Sequence, residues 1–181
     1  FFGQFGTAPG IDDYKTMVEQ GYANGVPMGG TLKAGTGAPS FTVWATKGPR
    51  DVDGNLDRIQ IIKSWVDASG EPQDQVYDVV WSGVRERDAK GKVPAVGNTV
   101  DVKTATFSNT IGATELKGVW TDPAFDAKQG AVYYVRVIQI PTPRWNTYDA
   151  VRAGLPLQDG VASTVQERAW SSPIWYTPVK N

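Results

Sequence analysis

Hydrophobic and polar positions alternate with a period of two along most of this chain. The clearest case is Ala131-Val-Tyr-Tyr-Val-Arg-Val-Ile-Gln-Ile140, in which nearly every residue is β-branched or aromatic and so suited to a pleated surface. Tyr133, Val135 and Val137 share one face; Val132, Tyr134, Arg136, Ile138 and Ile140 share the other. Pro141 and Pro143 end this strand, since proline has no amide to give a ladder. The same pattern predicts strands over residues 41–46, 56–66 and 75–81, a meander turned at 48–55 and 67–70. Further strands are predicted over 99–107, 115–120, 161–169 and 173–177, the last pairing with 131–140.

Elsewhere the period changes or vanishes. Ile11, Tyr14, Met17 and Val18 fall at helical offsets behind Asp12 and Asp13, which predicts a short helix over 11–22 ended by Gly21 or Gly25. Residues 1–10 read as loop or a packed arm, 26–39 as a glycine-rich connection, 84–92 as a solvated charged loop, and 145–153 as a turn or two of helix. Seven or eight strands with turn signals every ~8–12 residues predict a mainly β fold, an antiparallel immunoglobulin-like β-sandwich with a short N-terminal helix and long loops. The pattern Ala131-x-Tyr133-x-Val135, entered from a turn holding Asp126 and Gly130, resembles the penultimate strand of such a sandwich. Val135 then stands where an antibody domain has its cysteine, and Tyr133 is the corner tyrosine. The expected organisation is an arm, helix and connection over 1–39 and a β-sandwich domain over 40–181.

Composition narrows the partners more than the fold. The 181 residues are 40% hydrophobic with a formal charge of −1, enough for a real core. Eighteen Lys and Arg are mixed with 19 Asp and Glu, so no basic footprint for nucleic acid is expected. No cysteine is present, which fits a periplasmic and a cytoplasmic address equally. No apolar run approaches the roughly 18–20 residues that span a bilayer. The opening Phe1-Phe2-Gly3-Gln4-Phe5 is neither an initiating methionine nor an export signal, and the chain reads as a piece of something longer.

The chain has no histidine. A Ser-His-Asp triad, a Cys-His pair and His-ligated zinc or iron sites are therefore excluded within it, and no nucleophile elbow, Ser-x-x-Lys or phosphate loop occurs. No catalytic residue and no cofactor is assigned to this chain. Asp51, Asp53, Asn55 and Asp57 place oxygens at alternate positions as a calcium loop does, but a hairpin turn uses the same residues for their local hydrogen bonds. Glu115 and Glu167 are the carboxylates for a glycosidase, if one cleft holds both at the required separation. Trp44, Trp65 and Trp81 sit on alternating strands and fit core packing, whereas Trp145, beside Arg144 in a Pro-bounded loop, is a candidate contact residue. Arg136, mid-strand, needs a partner such as Glu167 or Asp149 if its face is covered, and water if it is not.

Five segments carry a resemblance: Gly25-Val-Pro-Met-Gly-Gly30, Asn55-Leu-Asp-Arg-Ile-Gln-Ile-Ile-Lys63, Val96-Gly-Asn-Thr-Val-Asp101, Tyr133-Tyr-Val-Arg-Val-Ile-Gln-Ile-Pro-Thr-Pro-Arg-Trp145 and Gln166-Glu-Arg-Ala-Trp-Ser-Ser-Pro-Ile-Trp-Tyr-Thr-Pro178. Together they resemble the C-terminal part of the bacterial family called domain of unknown function 3604. The upstream part of that family is similar to metallohydrolases of the polymerase-and-histidinol-phosphatase (PHP) type, and members are often exported. The resemblance implies a periplasmic address, an upstream domain of the same polypeptide as partner, and a divalent metal held by that domain alone. None of its ligands carries over, and Thr31 stands where the family pattern has an acidic residue. The expected role is a non-catalytic sandwich packed on the metal-bearing domain, with Met28 in the 25–30 loop, Arg144 and Trp145 shaping a cleft. The alternative is an independent module that binds a carbohydrate or another ligand.

Overall fold

The computed structural model describes residues 1–33, 35–50 and 52–179. The fold is mainly β, with two helices. In chain order it runs β1 (Phe2–Gln4), α1 (Tyr14–Asn24), β2 (Val26–Pro27), β3 (Thr31–Leu32), β4 (Ser40–Thr46), β5 (Leu56–Val66), β6 (Pro72–Trp81), β7 (Glu115–Thr121), β8 (Ala131–Gln139), β9 (Thr142–Pro143), α2 (Trp145–Ala153), β10 (Thr164–Val165), β11 (Arg168–Trp170) and β12 (Ile174–Tyr176). One main sheet has the order β2-β1-β4-β7 and the other β3-β12-β8-β5-β6, with β11 also on β8, while β9 and β10 pair as a separate two-stranded sheet. All pairs are antiparallel except β3 with β12.

The inward residues of both sheets meet in one core. Phe41, Val43 and Leu116 come from the first sheet and Ile59, Ile61, Tyr133, Val135, Ile174 and Tyr176 from the second. The face of β8 that carries Tyr133 and Val135 is therefore the buried one. The Tyr133 hydroxyl donates to Asp122 Oδ2 at 2.7 Å, a carboxylate immediately after β7, where a corner tyrosine would bond to backbone. Burial foremost, then Asp122, pushes this phenol far above its ordinary range, so it stays a neutral donor.

Local chemistry explains where elements start and stop. Asp13 caps α1 by accepting from Thr16 N–H at 2.8 Å, and the helix presents Met17 and Gly21 inward while Tyr14 stays exposed. Gly21 has to be glycine, because a Cβ there would lie 2.6 Å from the Phe2 ring. At the other helix Gly154 adopts the left-handed conformation, φ 65°, and closes α2.

Three expectations are corrected. Residues 99–107 form no strand despite their alternating Val and Thr: Asp101 and Thr106 exchange backbone hydrogen bonds, Asp101 Oδ1 accepts from Lys103 N–H, and Ala105 takes φ 51°. A side chain that bonds its own backbone two residues on closes a turn before a ladder can form. Residues 161–169 break into β10 and β11, because the Gln166 amide donates to Gln139 O at 2.8 Å and Asp57 Oδ2 at 3.1 Å between them. Segments 1–10 and 26–39 contain short strands, paired to β4 and β12.

The β5–β6 hairpin carries a pH prediction. Asp67 accepts from Ser69 Oγ and N–H, from Glu71 N–H and from the Gln73 amide. Those bonds, led by the Ser69 hydroxyl, hold its carboxyl down at about 2. A carboxyl depressed in the folded state contributes stability above its unfolded value near ~3.9, and that contribution is lost as pH falls through the folded one. The turn is therefore expected to loosen between about pH 4 and pH 2. An NMR titration of Asp67 with its midpoint in the usual carboxylate range would contradict this.

Candidate functional site

The first sheet is incomplete along one side. β1 covers β4 only from Ser40 to Thr42, whereas β7 pairs with it from Ser40 to Thr46. The facing edge belongs to β11, which pairs with β8 on one side and is exposed at Arg168, Ala169 and Trp170. A seam is left between these two edges. It comprises adjoining recesses of about 210 and 320 Å³ that share Ala45, Val137 and Ala169 as walls. Ile59, Val135 and Val137 form its apolar floor. Exposed strand edges are templates for pairing, and exposed apolar patches mark interaction surfaces.

At one end the seam opens onto Phe1, Met28, Trp44 and Trp170, and a further recess continues under Tyr14 and Tyr22 of α1. Trp44 is only half-buried there: Tyr14 stacks edge-on against it and the Lys117 ammonium sits 4.2 Å from its ring. At the other end Lys47, Gly48, Gln139 and Glu167 lead into a shallower groove with Asp53, Trp145 and Tyr148. The structure thus brings Met28, Glu167 and Trp145 onto one continuous line of recesses. Met28 is 50% exposed and Trp145 66% exposed. Trp145 is held outward because Asn146 and Thr147, the next residues of α2, are buried, with Thr147 Oγ1 donating to Ser163 O at 2.7 Å.

The remaining candidates lie apart from that line. Arg144 is the half-buried N-cap residue of α2 and donates its backbone N–H to Ser163 O. Arg136 is also half-buried, but its partner is neither Glu167 nor Asp149: its Nε donates to Gln60 Oε1 at 2.8 Å on the adjacent β5. Gln60 is directly opposite Arg136 in the β5–β8 ladder, whereas Glu167 lies beside Gln139, three residues along β8, and Asp149 is in α2. Glu115 sits opposite Thr46 at the end of the β4–β7 ladder, whereas Glu167, which is on that line, lies between β10 and β11.

The described oxygen-bearing residues of the 51–57 stretch serve separate ends. Asp51 lies outside the described residues. Asp53 accepts from Arg50 at 2.9 Å, and that guanidinium holds its carboxyl below the usual range. Asn55 uses its amide on Asn109 O and Ile111 O. Asp57 is buried against Arg58 Nε at 3.1 Å and Arg85 Nη2 at 2.8 Å. Among the described residues no three His, Cys, Asp or Glu side chains gather as a metal site, and no helix is long and apolar enough to cross a membrane.

The family model described as "Protein of unknown function (DUF3604)" matches residues 1–178. The chain belongs to the DUF3604 family. No curated protein and no solved structure matches it. In this DUF3604 chain the seam residues that sequence reasoning missed are Trp170, Ala169 and the free edge of β4. Trp44 carried the signal of a core residue, since a tryptophan on an alternating strand looks the same in sequence whether or not its strand has a second neighbour. Trp170 offered one clue, its place among Arg168, Ser171 and Ser172 in a stretch too polar to be buried on both faces.

Proposed function

We propose that this chain is a non-catalytic, immunoglobulin-like β-sandwich segment of a larger protein related to PHP metallohydrolases, packing through its seam on the metal-bearing domain. The observation that carries this is the apolar seam between two unpaired strand edges, rimmed by Met28, Trp44 and Trp170. Aromatic and methionine side chains around a desolvated floor are the usual anchors of an interface. The immunoglobulin-like reading is supported by strand order: β1-β4-β7 against β12-β8-β5-β6 parallels the A-B-E and G-F-C-C′ arrangement. The metal belongs to the proposed upstream domain, and export to the periplasm is part of the same reading, supported by the resemblance. Asp53, Gln139, Trp145 and Glu167 would lie at the mouth of the joint, where an indole and polar side chains can contact substrate.

The test is to mix this chain with the separately expressed upstream part and measure binding by calorimetry. Association is expected, and Trp170→Asp is expected to weaken it at least about tenfold while leaving the fold intact, since the indole is 59% exposed. Absence of association, together with glycan binding abolished by Trp145→Ala, would favour the independent carbohydrate-binding module instead. Phosphoesterase turnover by the isolated chain, lost on a point substitution within it, would contradict the non-catalytic role.

A further inference from the structure

The seam has a defined way in. β1 runs antiparallel to β4 with Phe2 opposite Thr42, Gly3 opposite Phe41 and Gln4 opposite Ser40. Continuing that register backwards puts Phe1 opposite Val43 and the three residues before it opposite Trp44, Ala45 and Thr46, where β4 lacks a neighbour on this side.

Hydrogen-bonding direction alternates along an antiparallel strand. Lys47 N–H donates to Thr114 O and Asp122 N–H donates to Pro39 O, so the odd-numbered residues of β4 face β7. Phe1 O accepts from Met28 N–H on the β2 side, so Phe2 is the residue that faces β4. Trp44 and Thr46 therefore aim their backbone groups into the seam, beyond Thr42, the last β4 residue with a partner in β1. Side-chain direction agrees, because directly opposed residues share a face. Phe1, opposite Val43, packs on the core and stacks on Phe41 with ring centroids 5.8 Å apart. The residue two before Phe1 would then point inward above Ala45, beside Val137 and Ala169.

Resting on the reading above, we propose that in the longer polypeptide the residues immediately preceding Phe1 continue β1 as a strand along residues 44–46 of β4, filling the seam, with an apolar side chain two positions before Phe1. The first and third added residues satisfy Trp44 and Thr46, and the second caps the floor of Val135 and Val137.

Per-residue amide exchange tests it, comparing this chain with one begun six residues earlier in its natural sequence. In the longer chain Trp44 and Thr46 are expected to exchange at least about tenfold more slowly, while Ala45, already facing β7, is unchanged. Equal rates at Trp44 and Thr46 in the two chains would overturn the proposal, as would a charged residue encoded two positions before Phe1. If exchange is equal but the upstream part still associates in trans, strand continuation fails and the interface reading stands. If association is absent too, both fall.

Discussion

Asp122→Ala is expected to lower the unfolding free energy by about 3–5 kcal/mol, because it strands a buried cation. Asp122 is 1% exposed and Lys63 3% exposed, and their charges meet at 2.7 Å. The same carboxylate oxygen accepts the Tyr133 hydroxyl at 2.7 Å, and the Lys63 ammonium also donates to Ala124 O at 2.6 Å. One acid thus joins β5, β8 and the segment after β7. A buried pair contributes little net stability against an apolar replacement, since desolvating both ions offsets most of their attraction. Removing one member is different, because the other keeps its desolvation cost and loses its partner. The prediction is therefore a pattern. Asp122→Ala and Lys63→Met each destabilise strongly, whereas Lys63→Met with Asp122→Leu and Tyr133→Phe recovers most of the loss. Urea unfolding followed by tryptophan fluorescence measures all of these, and a loss below about 1 kcal/mol for Asp122→Ala would show that water reaches the site.

What the sequence disclosed and what it hid divide along physical lines. The strands at β4, β5, β6, β7 and β8 were legible because each has at least one core face, and burial on one face writes a period of two into the chain. The pairing of the last strand with β8 was also legible. β1 was not: Phe2-Gly-Gln4 is three residues long, and its glycine reflects the close approach of the Phe41 ring, 2.9 Å from a Cβ built at Gly3. No periodicity can register over three residues. Residues 99–107 failed in the opposite way, carrying a strand's composition while Asp101 and the left-handed Ala105 close a turn. The site was the least legible part. An unpaired strand edge is a property of what is absent beside it, and the amides of Trp44 and Thr46 leave no trace in side-chain identity. Met28, Trp145 and Glu167 could be named as candidates, but only the fold places them on one line.

The charged loop between β6 and β7 supplies the second large effect, with Asp78→Ala expected to cost about 2–4 kcal/mol and to release the loop. From composition, residues 84–92 read as solvated, and most of them are exposed. Yet the loop is tied back at both ends. Asp78 Oδ2 accepts from Val93 N–H at 2.8 Å and from Arg58 Nη1 at 3.3 Å, while Oδ1 accepts from the Gln60 amide at 2.7 Å. Arg58 reaches on to Val93 O and Pro94 O, Arg85 to Pro94 O, and Arg87 lies over the Trp81 ring while donating to Asp78 O. Without the Asp78 carboxylate, Arg58 keeps Asp57, but the Val93 amide and the Gln60 amide lose their acceptor. Limited trypsin digestion should then cut at Arg85, Arg87, Lys90 or Lys92 much faster than in the parent chain. Asp78→Asn separates the two contributions, because its amide oxygen can still accept from Val93 while the charge is gone. The loop is expected to stay closed in that variant with a smaller loss of stability. Equal protease sensitivity of the Asn and Ala variants would mean that charge balance with Arg58, rather than the bond to Val93, holds the loop down.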